Sequence, residues 1–258
     1  MRHAVDPRSP EPVRPTTQLA AAGAQALPAA GPGGHAALVA RSTSVLPDVF
    51  SSLRPARLEA VLSLVAALEA KDAYTQRHSM NVSIYAMELA QALGLPDDPT
   101  EHISLAALLH DIGKIGTPDA ILTKPDRLTR AEYAVVKRHP EIGAALVQQI
   151  PSLSNLANDI LHHHERYDGR GYPAGLVGEE IPLGARIIHV ADSMEAMLSP
   201  RCYDSGSGVR RVLSELRRGR SSQFDPRVAD AATIWLTARP PLPATSWWAP
   251  TERQTRPD

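Results

Sequence analysis

His110 and Asp111 stand side by side in LLHDIGKIG, at the end of an apolar run. An imidazole beside a carboxylate is costly there unless both bind a strong partner such as a metal ion. Further nitrogen and oxygen donors recur in similar settings: His78 in AYTQRHSMNV, His139 in RHPEIG, His163 and His164 in ILHHHERYDGRGYP, and Asp192 in IIHVADSMEA. One buried histidine is ordinarily a hydrogen-bonded core residue, and a lone HD dipeptide occurs by chance. Together, however, so many polar groups on apolar segments would each need an unrelated partner. Seven donors exceed one tetrahedral shell and suffice for two divalent ions sharing a ligand. Imidazole and carboxylate without thiolate suit Fe, Mn, Ni or Zn. With Asp111 as the shared ligand, ions about 3.5 to 4 Å apart would clamp the attacking and leaving oxygens of a phosphoryl transfer, so phosphate-ester hydrolysis is the expected use. Lys114, three residues after Asp111, falls on the same side of a helix turn and would set an ammonium where phosphate charge develops.

The elements that must position these groups read as helices. Leu, Val, Ile, Met and Ala recur at three- and four-residue spacing, and strand alternation is almost absent. Helices are predicted at about 56–71, 75–94, 99–112, 129–138, 141–150, 153–165, 184–198, 208–219 and 226–236, giving an all-α bundle. Thr129 with Glu132 forms a capping-box pattern, Gly94 and Gly113 suit left-handed C-terminal positions, and Pro96, Pro118 and Pro182 follow helix ends. The long irregular stretch 166–183 holds glycines and prolines, and a loop of that size in a helical domain is expected to be functional. Within it and beside it, Glu165 and Asp168 are candidates to orient the second nitrogens of the neighbouring histidines. His189, one turn before Asp192, reads as an interhelical hydrogen-bonding residue, and His102 and His162 read as non-ligands.

With 258 residues, of which 43% are hydrophobic, the chain can bury one substantial core. A net charge of -1 gives no global basic field, so duplex nucleic acid is not an expected ligand. The single cysteine, Cys202, excludes an internal disulfide, and no apolar run is long enough to span a membrane or serve as a signal-peptide core, so a cytoplasmic setting is expected. Residues 1–45, rich in Pro, Ala, Gly and Arg, read as a flexible tail. Residues 46–238 read as the catalytic domain and 239–258 as a C-terminal tail carrying Trp247 and Trp248.

The motifs HDIGKIGTPD at 110–119, HPEIG at 139–143, HHERYDGRGYPAGL at 163–176, IPLGARIIHVAD at 181–192 and QFDP at 223–226 resemble the HD-GYP family, a branch of the HD phosphohydrolase superfamily. The resemblance covers about residues 56–236. It implies an HD-type helical bundle and a metal-dependent phosphodiesterase that hydrolyses cyclic di-GMP to pGpG or GMP. It also implies two divalent ions, Fe or Mn: His78, His110, Asp111 and Asp192 for one, and Asp111, His139, His163 and His164 for the other. Asp111 is the implied bridge. Lys114 is implied to touch the scissile phosphate and Arg201 a substrate phosphate, while Gly171 and Tyr172 of the GYP segment border the substrate.

Departures from the family pattern qualify these expectations. Tyr74 stands where some members carry a third-metal glutamate, so two ions are expected. Asp204 replaces a basic residue three positions after Arg201, and in SMEAM Glu195 is the nearest acid. Loss of a charge-assisted contact at Asp204 would weaken binding of a dianionic dinucleotide roughly tenfold to a hundredfold. Two alternatives therefore stand beside cyclic di-GMP hydrolysis. One is action on another cyclic dinucleotide or nucleotide. The other is a weakly active signalling adaptor whose GYP loop docks a diguanylate cyclase or another partner.

Overall fold

A computed structural model of the chain describes residues 55–71, 73–198 and 207–238. These form ten α-helices: α1 (Pro55–Lys71), α2 (Ala73–Ala92), α3 (Asp97–Leu109), α4 (Asp119–Leu122), α5 (Arg130–Val136), α6 (His139–Gln148), α7 (Ala157–His162), α8 (Leu183–Leu198), α9 (Ser207–Gly219) and α10 (Pro226–Ala238). Short 3-10 turns lie at Ile112–Gly116, Ser154–Leu156 and Gly178–Glu180. Among the described residues there is no β-strand, only two isolated bridges, so the all-α expectation holds. Arg201, Cys202, Asp204, the two tails with their tryptophans, and the side chain of Tyr74 lie outside the described residues.

The core is a continuous aliphatic cluster. Val82, Ala86 and Leu89 of α2 meet Leu105, Leu108 and Leu109 of α3, and Ile187, Ile188, Ala191 and Met194 of α8. The central helix α2 packs on both α3 and α8, and α7 bridges α6 to α8. Local signals start these helices where the sequence indicates. Pro96 caps α3 in an extended conformation, with Asp97 and Asp98 against the positive end of its dipole. At α5 the capping box forms in full: the Glu132 amide donates to Thr129 Oγ1 at 3.3 Å and the Thr129 amide to Glu132 Oε2 at 2.7 Å.

Two buried polar ties fix α8. Asp159 of α7 accepts the Ala185 amide at the start of α8 (3.1 Å) and His102 Nε2 of α3 (2.8 Å), capping one helix from another. Arg186 donates to the Asp225 carboxylate at 2.5 Å, and Asp225 also accepts the Arg227 amide at the start of α10. Both members of that ion pair are buried, so each depends on the other to avoid an unpaired charge.

The helix boundaries depart from expectation at several points. The α3 segment ends at Leu109, and 112–116 tightens into 3-10 geometry; the 153–165 segment divides into a 3-10 turn and α7; Asp119–Leu122 is a helix the periodicity did not show. Pro96 follows the end of α2, and Pro118 and Pro182 follow 3-10 turns, as expected; Pro96 and Pro118 also cap the next helix, and Pro182 leads into α8. Gly94 is left-handed as expected, at φ 76°, but Gly113 is not. At Gly113 the need is closeness: a Cβ would lie 1.9 Å from the His139 carbonyl oxygen and 2.5 Å from the Gly143 amide. The missing side chain lets the HD segment press against the start of α6.

Gly113→Ala therefore requires the backbones of the 112–116 turn and α6 to separate. Urea unfolding is expected to show a loss of about 3 kcal/mol or more, the upper range for overpacking. Gly94→Ala, where nothing lies within 4 Å of the added Cβ, is expected to cost only the left-handed penalty of about 1 to 2 kcal/mol. Equal losses at the two positions would contradict the close-approach explanation.

Candidate metal centre

Three of the histidines share one structural device. The last carbonyls of a helix lack intrahelical partners. His110 follows α3 and its Nδ1 donates to Ala107 O at 2.7 Å; His139 follows α5 and donates to Val136 O at 2.8 Å; His163 follows α7 and donates to Ile160 O at 2.6 Å. A carbonyl can only accept, so each Nδ1 carries a proton, and in the neutral ring each Nε2 then presents a lone pair. Three helix ends thus aim three imidazoles into one buried space, with the tautomer set by backbone.

His78 lies inside α2, where the carbonyls are committed to the helix's own ladder. Its Nδ1 instead meets Glu195 Oε2 of α8 at 2.6 Å, and Asn81 Nδ2 holds the other Glu195 oxygen at 3.1 Å. His78 Nε2 then faces Asp192 Oδ1 at 3.2 Å. His164 is positioned by rings, 4.1 Å from His163 and stacked at 4.8 Å on Tyr172. Asp111 sits among them with its two oxygens facing different ways: Oδ1 lies 3.3 Å from His139 Nε2, and Oδ2 lies 3.5 Å from His110 Nε2 and 3.9 Å from His78 Nε2.

This donor set suits a cation. His139, His163 and His164 can bring ligand atoms within 4.8 Å of one another, as can His78, His110 and Asp192, and His110, Asp111 and His163. His139 Nε2 and His163 Nε2 stand 3.3 Å apart. With both Nδ1 atoms protonated these are two facing lone pairs, a repulsive arrangement that a divalent ion between them would relieve.

Electrostatics point the same way. Burial, followed by the charges of neighbouring imidazoles, holds His163 and His164 well below their usual range. Burial also lowers His139 to about 4. These rings are neutral near pH 7, the form that binds metal. Burial disfavours the charged form of His78 as well, but hydrogen bonds to Asp192 and Glu195 and the charges of Asp192 and Asp111 outweigh it, raising His78 to about 10. Burial opposes ionisation of Asp111 and Asp192, yet Lys114 and the histidines around Asp111, and His78 beside Asp192, keep both carboxyls below the ordinary carboxylate range.

Lys114 stands where the turn geometry placed it, with Nζ 2.5 Å from Asp111 Oδ2. The structure thus brings His78, His110, Asp111, Lys114, His139, His163, His164 and Asp192 together. Other expectations change. Glu165 receives the Ala174 and Gly175 amides of the GYP loop, and Asp168 pairs with Arg166; the Nδ1 of His163 is held by the Ile160 carbonyl instead. Gly171 packs against the Glu165 backbone, where a Cβ would lie 2.4 Å from its Cα. Tyr172 stacks on His164 and has Lys137 Nζ 4.4 Å from its ring centroid, so its ring braces the centre. His189 donates from Nδ1 to His163 O at 2.9 Å, the interhelical bond expected of it. The residue that sequence reasoning left without a role is Glu195. Its signal was present: His189, Asp192 and Glu195 recur every three residues, on one face of α8.

The sequence model of the HD domain family matches residues 60–228. The chain is 45% identical over 175 residues to the cyclic di-GMP phosphodiesterase response regulator RpfG of Xanthomonas campestris, covering 67% of this chain and 46% of that protein. It is 44% identical over 170 residues to a cyclic di-GMP phosphodiesterase of Pseudomonas aeruginosa, covering 66% and 41% respectively. The chain thus spans less than half the length of these two relatives. Among solved structures, an HDG"Y"P protein from Bdellovibrio bacteriovorus superposes with a TM-score of 0.54 at 22% identity, covering 78% of this chain and 70% of that one, a likeness of fold. The match across residues 60–228, on a helical frame that gathers the HD pair with its partner histidines, places the chain in the HD domain family, a metal-dependent family, and in its HD-GYP branch.

Proposed function

We propose that the chain is a dinuclear, metal-dependent phosphodiesterase that hydrolyses cyclic di-GMP to pGpG or GMP. The observation that carries this reading is the Asp111 carboxylate. One oxygen faces His139 and the other faces His110 and His78, so a single side chain stands between two donor groups. In this reading His78, His110, Asp111 and Asp192 hold one ion, and Asp111, His139, His163 and His164 hold the other. The lack of thiolates among these donors suits Fe, Mn, Ni or Zn, and the resemblance narrows this to Fe or Mn. When bound, the ions supply Lewis-acid polarisation of the phosphoryl oxygens and offset the charge that develops on them.

The chain's own residues do the rest. Imidazoles fixed by helix-end carbonyls keep the site preorganised, so little reorganisation is needed as charge develops. Lys114 is partly exposed at the edge of this buried cluster. Its ammonium rests on Asp111 and can turn toward an anionic phosphate, adding a charge-assisted hydrogen bond. Arg201, outside the described residues, would supply a second phosphate contact by resemblance.

The relatives support the substrate class and leave a second member of it in view. A Vibrio cholerae relative 36% identical over 164 residues is named a 3'3'-cGAMP-specific phosphodiesterase. The common chemistry is a cyclic dinucleotide with two phosphodiester bonds.

Anaerobically purified protein loaded with Mn2+ or Fe2+ should convert cyclic di-GMP to pGpG or GMP, followed by chromatography beside 3'3'-cGAMP and cyclic di-AMP. Intact cyclic di-GMP, under conditions in which an authentic homologue cleaves it, would remove this reading, and preferential turnover of 3'3'-cGAMP would shift it to the second substrate. Asp111→Ala should lose both ions by elemental analysis and lower turnover on the order of a thousandfold or more, beyond the loss of one stabilising donor. Proton release supplies an independent check. His78, raised to about 10, is protonated at neutral pH and must give up that proton to bind metal. Metal affinity should therefore rise with pH, by up to about tenfold per unit, through the neutral range. Calorimetry in buffers of different ionisation heats should count about one released proton; no release would show that metal binding does not displace a proton from His78.

A further inference from the structure

The histidines of the centre are oriented in different ways. His110, His139 and His163 each spend Nδ1 on a neutral backbone carbonyl, whereas His78 spends it on a carboxylate. The difference follows from placement. The first three sit at helix ends with unpaired carbonyls, and His78 sits within α2, where none is available. Glu195 fills that need from across the bundle. It is 4% exposed, its Oε2 lies 2.6 Å from His78 Nδ1, and Asn81, three residues along α2 from His78, donates to its Oε1 at 3.1 Å. One helix thus provides both the imidazole and the amide that holds the imidazole's partner.

A carboxylate behind an imidazole does what a carbonyl does, fixing the ring and its tautomer, and it adds negative charge that makes the opposite nitrogen a stronger donor. That charge falls on one side only. The group formed by His78, His110 and Asp192 has Glu195 behind it, while His139, His163 and His164 have backbone carbonyls and rings behind them.

We propose that Glu195 is a positioning residue that orients and polarises His78, making the His78, His110 and Asp192 half of the centre its tighter cation site. Glu195 touches no substrate in this role and acts through His78 alone. The inference rests on the metal-binding reading above and on no assumption about the substrate.

Mn2+ titration of the metal-free full chain, followed by electron paramagnetic resonance of the free ion, tests it without turnover. The wild type should bind in a tighter and a weaker class. Glu195→Gln, which keeps the shape and removes the charge, should weaken the tighter class roughly 10- to 100-fold, the usual effect of removing a ligand's carboxylate partner, and leave the weaker class within about twofold. Asn81→Ala should move the same class in the same direction by less, and it decides the question by the same criterion if Glu195→Gln does not fold. Unchanged binding, or an equal fall of both classes with a lowered melting temperature, would overturn the proposal by assigning Glu195 a structural role. Absence of Mn2+ binding by the wild type would instead overturn the metal reading itself, and this proposal with it.

Discussion

The structure depends on how a helical core disposes of buried imidazole N–H groups. A bundle of this kind satisfies its backbone internally except at helix termini, and those termini are where three of the histidines sit. His110, His139 and His163 each follow a helix and each return a proton to the carbonyl three residues back. The exchange settles two problems together: the orphan carbonyl gains a donor, and the imidazole gains a fixed tautomer. Because the rings are held by backbone, their directions are set by where the helices stop, and the stops at Leu109, Val136 and His162 converge on Asp111.

Convergence needs close approach, which the fold secures by subtraction and by ties placed away from the centre. Gly113 lets the turn after Asp111 lie against the start of α6, where any Cβ would strike the His139 carbonyl. Asp159 caps α8 from α7, and Arg186 with Asp225 joins α8 to the start of α10. Gln223 and His189 extend the support inward. Gln223 reaches His189 Nε2 at 3.4 Å, and His189 donates to the carbonyl of His163 itself. The residues of QFDP therefore act on the centre through α8, without contacting Asp111.

Much of this was legible in the sequence because it is periodic or local. The helices follow from apolar spacing, the α5 cap from Thr129 and Glu132, and the donor set from polar residues on apolar runs. Lys114 fell on Asp111 because three residues of a turn bring two side chains together whatever surrounds them. What was not legible depended on tertiary approach. Gly113 reads as a helix terminator until the neighbouring backbone is seen. Glu165 and Asp168 look like histidine partners in sequence but serve the GYP loop. Helical spacing sets Glu195 on the face of Asp192, but its partner His78 lies 117 positions away. The stacking of Tyr172 on His164, with Lys137 near its ring, likewise depends on how the loop folds back.

The charge arrangement shows how such a site stays buried before any cation arrives. His78, raised by its carboxylate neighbours, and Lys114 stand among Asp111, Asp192 and Glu195, while His139, His163 and His164 are held neutral by burial. Two positive groups against three carboxylates leave only a small net charge, so the helical core need not accommodate unpaired ions. His78, His110, Asp111 and Asp192, with His139, His163 and His164, would hold divalent cations whose charge would serve the role that the His78 proton and the Lys114 ammonium serve here. This near-balance of charge centres on Asp111, the carboxylate that Lys114, His78, His110 and His139 all face.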